Sequence, residues 1–327
     1  MKRVATSMVS RRGFLRGAAA AIVAGSVGSA GVLSGCSVSN LDPADPKNRD
    51  GQEIRIGSAM FPESEILARI WAYALMDAGL KAEVVPQIGA RDVYLEALEE
   101  GSIDIVPEYA GNLASYFGDV PAGADSTAVQ EALRRNLPQG FGVLAVAPAE
   151  SKDAYRITRA TSEKYGVKSL EDMAGLPGKI RIGGGPELAK QPFGPMGLTK
   201  YYGIEKDRMQ LVGYGDAGGP LTIQAVAQGA VDMANIFTTT PLMDSSGQKV
   251  DLVTLEDPKR MILAQNVVAL GRMDTVDDRV RKILGEVSEN LTTADLVRMN
   301  ERSSGEEKAG SALIARQWLD SSRMNGR

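Results

Sequence analysis

Aromatic side chains are scarce in this chain, and their placement is informative. Six phenylalanines occur, five of them beyond residue 35. Three of those five, Phe61, Phe193 and Phe237, fall in segments that read as loops, and Tyr94 and Tyr109 join them. Aromatic faces that converge on one point attract a quaternary ammonium through the ring quadrupole and through apolar contact. The ordinary alternative is a ring that plugs the core beneath its loop. Tyr109 and Phe237 escape that alternative best, because both end the same pattern. Residues 97–109 read Ala-Leu-Glu-Glu-Gly-Ser-Ile-Asp-Ile-Val-Pro-Glu-Tyr, and residues 225–237 read Ala-Val-Ala-Gln-Gly-Ala-Val-Asp-Met-Ala-Asn-Ile-Phe. Ala97, Gly101, Asp104 and Tyr109 thereby align with Ala225, Gly229, Asp232 and Phe237. Upstream, Ile54-Arg55-Ile56-Gly57 is echoed by Ile180-Arg181-Ile182-Gly183. Two similar α/β units, each with an aromatic tip, imply a cleft that closes on a small molecule.

Polar candidates are fewer. Arg91 stands at an expected helix start, where a basic side chain opposes the helix dipole. It is a candidate for an anion contact, with a salt bridge to Asp92 or Glu63 equally open. Glu108 and Asp216 read as loop carboxylates that could hold a cation or the two units, although most such groups are simply solvated. Catalysis has little to draw on. The chain has no histidine and one cysteine, Cys36. That removes Ser-His-Asp and Cys-His systems and most zinc sites. A carboxylate-pair glycosidase stays formally open, but no paired acids stand out. The phosphate-loop and dinucleotide fingerprints are both missing. No metal and no cofactor is expected.

The elements that must position these residues alternate. Strands are expected at Glu53–Gly57, Lys81–Val85, Ile103–Val106 and Gly142–Ala147, with helices at Glu63–Ala78, Asp92–Glu100 and Ala128–Arg135. A second series follows, with helices at Ser169–Ala174, Met196–Tyr202 and Pro220–Ala227 and strands at Lys179–Gly183, Gln210–Gly213 and Val231–Ala234. Such alternation predicts α/β sheets with parallel strands. Three consecutive helices, Asp277–Asn290, Ala294–Asn300 and Glu306–Asp320, close the chain, the middle one capped by Thr292 or Thr293. They should pack on the back of the first unit. Ligands of open α/β sheets sit beyond the carboxyl ends of strands. Four glycine-containing loops are so placed, at 57–63, 89–92, 183–187 and 215–220.

The first residues answer a different question. Ser10-Arg11-Arg12-Gly13-Phe14-Leu15-Arg16 matches a twin-arginine export signal, an apolar Ala/Gly-rich run follows, and Leu33-Ser34-Gly35-Cys36 has the form of a lipobox. Residues 1–35 are therefore expected to be a cleaved signal peptide, Cys36 to carry lipid, and residues 36–51 to be a tether. A short transmembrane anchor is the alternative, but the run is marginal for spanning a bilayer. Five of the 37 basic residues lie in 1–35 and none of the 41 acidic ones, which leaves a formal charge of −9 on the rest. That charge argues against nucleic acid as a partner. With Cys36 alone, no disulfide forms within the chain.

At this point the sequence resembles a known family, the substrate-binding proteins of osmoprotectant ABC importers for glycine betaine, carnitine and choline. The resemblance rests on Phe61-Pro62-Glu63-Ser64, Gly89-Ala90-Arg91-Asp92-Val93-Tyr94 and Pro107-Glu108-Tyr109-Ala110-Gly111-Asn112 in the first half. It continues in Gly184-Gly185-Pro186-Glu187, Gln191-Pro192-Phe193-Gly194, Asp216-Ala217-Gly218-Gly219-Pro220, Phe237-Thr238-Thr239-Thr240-Pro241 and Leu255-Glu256-Asp257-Pro258. It implies a type II periplasmic-binding-protein-like clamp with a hinge and a helical tail. Lobe 1 would comprise 52–146 and 262–327, and lobe 2 would comprise 147–261. To the candidates above it adds ligand positions at Ser58, Met60, Asn112, Pro186, Ala217, Thr238 and Thr239. It further implies a monomer, lipid-anchored to the outer face of the membrane, that serves a separate permease and ATPase. Family members carry a tyrosine-rich cage, whereas this chain has Phe237 and a Gln-Pro-Phe-Gly variant. A flatter aromatic or sulfur-containing ligand is therefore the competing reading, and a cell-surface enzyme a weaker third.

Overall fold

The computed structural model describes residues 53–325 apart from Ala217. The expected signal peptide, Cys36 and the tether lie outside the described residues. Two five-stranded mixed sheets carry the architecture.

The first sheet begins with β1 (Ile54–Ala59), α1 (Pro62–Asp77), β2 (Ala82–Gly89), α2 (Arg91–Glu99) and β3 (Ile105–Tyr109). Then come α3 (Ala110–Phe117), α4 (Ser126–Asn136) and β4 (Phe141–Glu150). The second sheet uses β5 (Tyr155–Thr158), α5 (Arg159–Tyr165), β6 (Ile180–Gly184), α6 (Pro195–Tyr202), β7 (Met209–Gly213), α7 (Pro220–Ala227), β8 (Met233–Asn235) and β9 (Leu252–Thr254). The chain then returns as β10 (Asn266–Arg272) to the first sheet and ends in α8 (Asp278–Ser288), α9 (Thr293–Ser304) and α10 (Ser311–Asn325).

Strand orders are β2-β1-β3-β10-β4 and β7-β6-β8-β5-β9. In each sheet the first three strands are parallel and the fourth runs antiparallel to its neighbours. The sheets are thus mixed rather than parallel throughout, because β10 and β5 are the strands by which the chain re-enters a sheet after crossing. Those crossings lie side by side: Asn266 pairs with Glu150, and Ser151 N donates to Gln265 O at 3.2 Å.

The doubled sequence is a doubled structure. The helix ends at Ala97 and Ala225 are closed alike. Ser102 N donates to Ala97 O at 2.8 Å and Ala230 N to Ala225 O at 2.9 Å. This closure needs a left-handed residue, and Gly101 (φ +79°) and Gly229 (φ +70°) supply it without a Cβ penalty. Next, Asp104 Oδ2 accepts from Arg55 N at 2.8 Å, and Asp232 Oδ2 accepts from Arg181 N at 2.7 Å. Each arginine also pairs its guanidinium with the same aspartate.

Several elements differ from expectation. Ser169–Ala174 is not an α-helix but leads into a short 3-10 turn, Asp172–Gly175. Asp172 Oδ2 accepts from Lys168 N, Ser169 N and Ser169 Oγ, so the carboxylate organises a turn rather than a helix start. The elements α3, α5, β5, β9 and β10 were not anticipated. α3 follows β3 without an intervening loop, and Gly111 with Asn112 at its start gives it poor helix propensity. Thr292 caps α9 in a full capping box with Asp295. The three tail helices pack on α1 and β4. Trp71, 1% exposed, joins α1 to α8 by donating to Ser288 Oγ at 3.2 Å.

Candidate functional site

A cleft opens where the carboxyl ends of the parallel strands of both sheets meet. Its cavity, about 360 Å3, is lined by Arg91 beyond β2, by Asn112, Ser115 and Tyr116 on α3, and by Leu263 and Gln265 of the second crossing. The other wall is Asp153, the 185–193 segment beyond β6, Asn235 and Phe237 at the end of β8, and Met261. A larger hollow, about 580 Å3, sits on the flank of the first sheet between α2 and the 138–141 turn, and only one lobe lines it. The shared cleft is therefore the place where closure could act on a ligand.

Its floor is tied to the crossings. Gln265, 2% exposed, accepts from Asn112 N at 3.0 Å and donates to Asn112 Oδ1 at 2.8 Å. This approach needs a glycine before Asn112, since a Cβ on Gly111 would lie 2.6 Å from Ala264 O.

On the first wall, Arg91 does not bind Asp92 or Glu63. Its guanidinium makes a two-pronged pair with Glu108, Nε to Oε1 at 2.7 Å and Nη2 to Oε2 at 3.0 Å. Tyr94 Oη also donates to Glu108 Oε1, at 2.6 Å. Glu108 is accordingly no loop carboxylate. It lies within β3, 1% exposed, and its charge is answered inside the protein. Burial works against the Arg91 charge, but Glu108 more than compensates and holds the guanidinium protonated above its usual range. Burial, and then Glu108, push the Tyr94 hydroxyl up.

Tyr109 is also inside, 9% exposed, with Oη donating to Glu63 Oε1 at 2.5 Å. Burial first, and the Glu63 carboxylate next, raise its pKa well above the ordinary phenol value. Phe61, 42% exposed, stacks beside it at 6.2 Å between ring centres. Ser58 is fully buried, accepting from Gln87 N at 2.9 Å, while Met60 is exposed.

On the second wall, Phe237 is presented by a clamped backbone. Arg156, 6% exposed, donates to Phe237 O at 3.1 Å and Thr238 O at 3.2 Å. Thr238 Oγ1 accepts from Lys152 N at 3.0 Å, and Thr239 Oγ1 meets Ser151 Oγ at 2.8 Å. These threonines bind the first crossing and hold the Phe237 ring at the cleft. Burial lowers Arg156 to about 10. Phe193, 8% exposed, lines the cavity, and its carbonyl accepts from Tyr155 Oη at 2.9 Å. Pro186 starts a 3-10 turn beside Gly185 and is exposed. Asp216 caps the start of α7, accepting from Leu221 N at 2.6 Å and Thr222 Oγ1 at 2.6 Å.

Of the expected ligand positions, Arg91, Asn112, Phe193 and Phe237 thus line the cavity. Ser58, Met60, Phe61, Tyr94, Glu108, Tyr109, Pro186, Asp216, Thr238 and Thr239 do not line it, and Ala217 lies outside the described residues. Residues unflagged by sequence include Tyr116, Asp153, Asn235 and Gln265, while Glu187 lies in the expected 183–187 loop without having been given a ligand role. Asp153 is 7% exposed, and burial pushes its carboxyl up to about 6, with nearby Glu187 adding to the rise. The Asn235 amide is near enough to favour the charged carboxylate, yet Asn235 Nδ2 makes no bond of acceptable geometry. One signal could have found Asn235: it stands two residues before Phe237 in the doubled segment.

Comparison with known proteins agrees with this geometry. Residues 52–321 match the family described as the substrate binding domain of ABC-type glycine betaine transport system. The glycine betaine-binding protein YehZ of Escherichia coli (strain K12) is 26% identical over 215 residues, covering 63% of this chain and 69% of YehZ. The carnitine transport binding protein OpuCC of Listeria monocytogenes is 22% identical over 295 residues, covering 88% of this chain and 91% of OpuCC. A crystal structure of a glycine betaine/carnitine/choline ABC transporter superposes with a TM-score of 0.69 at 18% identity, covering 82% of this chain and 98% of that one. With the doubled sheets, the paired crossings and the shared cleft, these likenesses mean that the chain belongs to the family of substrate-binding domains of ABC-type glycine betaine transport systems, extracytoplasmic components that hand a small solute to a permease and an ATPase.

Proposed function

We propose that this protein captures a quaternary ammonium osmoprotectant of the glycine betaine, choline or carnitine type and delivers it without chemical change. The observation that carries the reading is the shared cleft with the aromatic faces of Tyr116, Phe193 and Phe237 on its walls. Such faces hold a methylated ammonium by cation–π attraction and by contact with its methyl groups. The named ligands of the relatives are of this class.

Capture proceeds by hinge closure. The moving bodies are 52–146 with 262–327, and 147–261, and the bend falls in the two crossings. Closure brings the Arg91 and Tyr116 wall of the first lobe toward the Phe193 and Phe237 wall of the second. A twin-arginine signal over 1–35 directs export and is cleaved, and lipid on Cys36 then holds the monomer at the outer face of the membrane, with 36–51 as tether. Among the described residues no helix is long and apolar enough to cross a membrane.

Calorimetric titration with choline, glycine betaine and carnitine tests this reading. Saturable binding of at least one, with the compound recovered unaltered, is expected. Absence of heat with all three at millimolar concentration would remove it.

A further inference from the structure

Asp153 and Asn235 stand close together as buried polar side chains on the cleft wall. Both line the cleft, at 7% and 8% exposure. Asn235 Nδ2 is a buried donor without a hydrogen bond of acceptable geometry, a state that is unfavourable until an acceptor arrives. Among the described residues no basic side chain contributes to the Asp153 shift. The groups that face it are Asn235, Glu187 from the 3-10 turn beyond β6, and Tyr155 on β5. Across the cavity stands Arg91, the one basic side chain on its lining among the described residues, and its charge is engaged by Glu108 in a two-pronged pair. Among the described residues the cleft therefore holds two carboxylates, Asp153 and Glu187, and no cation other than the Glu108-paired Arg91.

We infer that Asp153 and Asn235 set the charge of the occupant, so that the cleft takes a quaternary ammonium of net positive charge bearing a neutral oxygen in preference to a zwitterion. This rests on the cleft being the binding site proposed above. The ligand's ammonium supplies the countercharge that the buried Asp153 lacks. Its neutral oxygen, a hydroxyl for instance, accepts from Asn235 Nδ2 and can donate to the Asp153 carboxylate. The carboxylate of a zwitterion would instead enter beside Asp153 and Glu187 without a free cation to meet it. The raised proton affinity of Asp153 agrees with a carboxylate awaiting that countercharge.

Choline and glycine betaine share the trimethylammonium head and differ in net charge, so they separate the possibilities. Full-length protein is titrated with each by calorimetry, at neutral pH and at about one unit below the point where Asp153 takes up its proton. Expected at neutral pH is choline binding at least about tenfold tighter than glycine betaine. Choline affinity then falls by up to about tenfold per pH unit on the acid side, because binding must expel the proton from Asp153, while glycine betaine changes less. Asp153→Asn, confirmed as folded by its thermal melt, should abolish most of the choline preference. If glycine betaine binds as tightly as choline, or choline binding ignores pH in the wild-type chain, the inference is overturned while the osmoprotectant reading stands. If neither compound nor carnitine binds, that reading fails and this inference with it.

Discussion

Asn300, on the tail helix α9, donates through Nδ2 to the backbone oxygen of Thr239 at 3.0 Å, so a helix packed on the first sheet holds a carbonyl of the second lobe. The same nitrogen lies 2.6 Å from Glu63 Oε2, whose other oxygen accepts from Tyr109. One amide thereby joins three parts of the chain that are far apart in sequence. Asn300→Ala leaves Glu63, 6% exposed, one donor short. The expected loss is about 1–3 kcal/mol of unfolding free energy, read as a lower urea midpoint. An unchanged midpoint would show that the bridge adds nothing to stability.

Glu108 depends on Arg91 more than Arg91 depends on Glu108. Its side chain has no exposure, whereas that of Arg91 is 28% exposed. Arg91→Met strands a buried carboxylate, and a loss of about 3–5 kcal/mol is expected in urea unfolding. Adding Glu108→Gln to the same chain should restore a large part of it. Equal stability of the single and double variants would mean the carboxylate finds another partner.

We propose that Phe237 serves the ligand rather than the core: the residue is 36% exposed while Arg156 and the threonines hold its backbone. Phe237→Ala should weaken quaternary ammonium binding by about 0.5–2 kcal/mol and move the melting temperature little. Retained affinity would place the ring outside the bound complex.

Asp232 ties folding to pH. Burial alone would raise its pKa, but hydrogen bonds from the Arg181 side chain and backbone, and the arginine charge, bring it below the usual value. A depressed value means stability that is present above the unfolded carboxylate range, near about pH 4, and lost as pH falls through the folded value. Wild-type melting temperature should therefore drop more steeply below that range than that of Asp232→Asn. Parallel curves would exclude the linkage.

Much of the fold was legible because it is written in short-range terms. Gly101 and Gly229 stop their helices through a local backbone requirement, and the Ile-Arg-Ile-Gly echoes are interior strands with the same second place in each sheet. The re-entering strands β10 and β5 were not legible. Their partners, β3 and β8, are distant or come later, and a strand of four to seven residues has no mark of its own until it is paired. Candidate site residues divided the same way. Phe193 and Phe237 could be picked out as aromatics in loops. Tyr94, Glu108 and Tyr109 looked equally available, and only packing turned their polar atoms toward Arg91 and Glu63.

The sequence by itself determined the duplication, the α/β class, the absence of histidine chemistry and the family. These depend on residue identity and spacing, which the chain displays directly. The tertiary structure decided which charges meet. Arg91 became part of an internal pair, Glu63 became the anchor of Asn300, and Asp153 with Asn235 was left facing the cleft. Charge pairing depends on a few ångströms between residues tens to hundreds of positions apart, and only the folded packing fixes those distances.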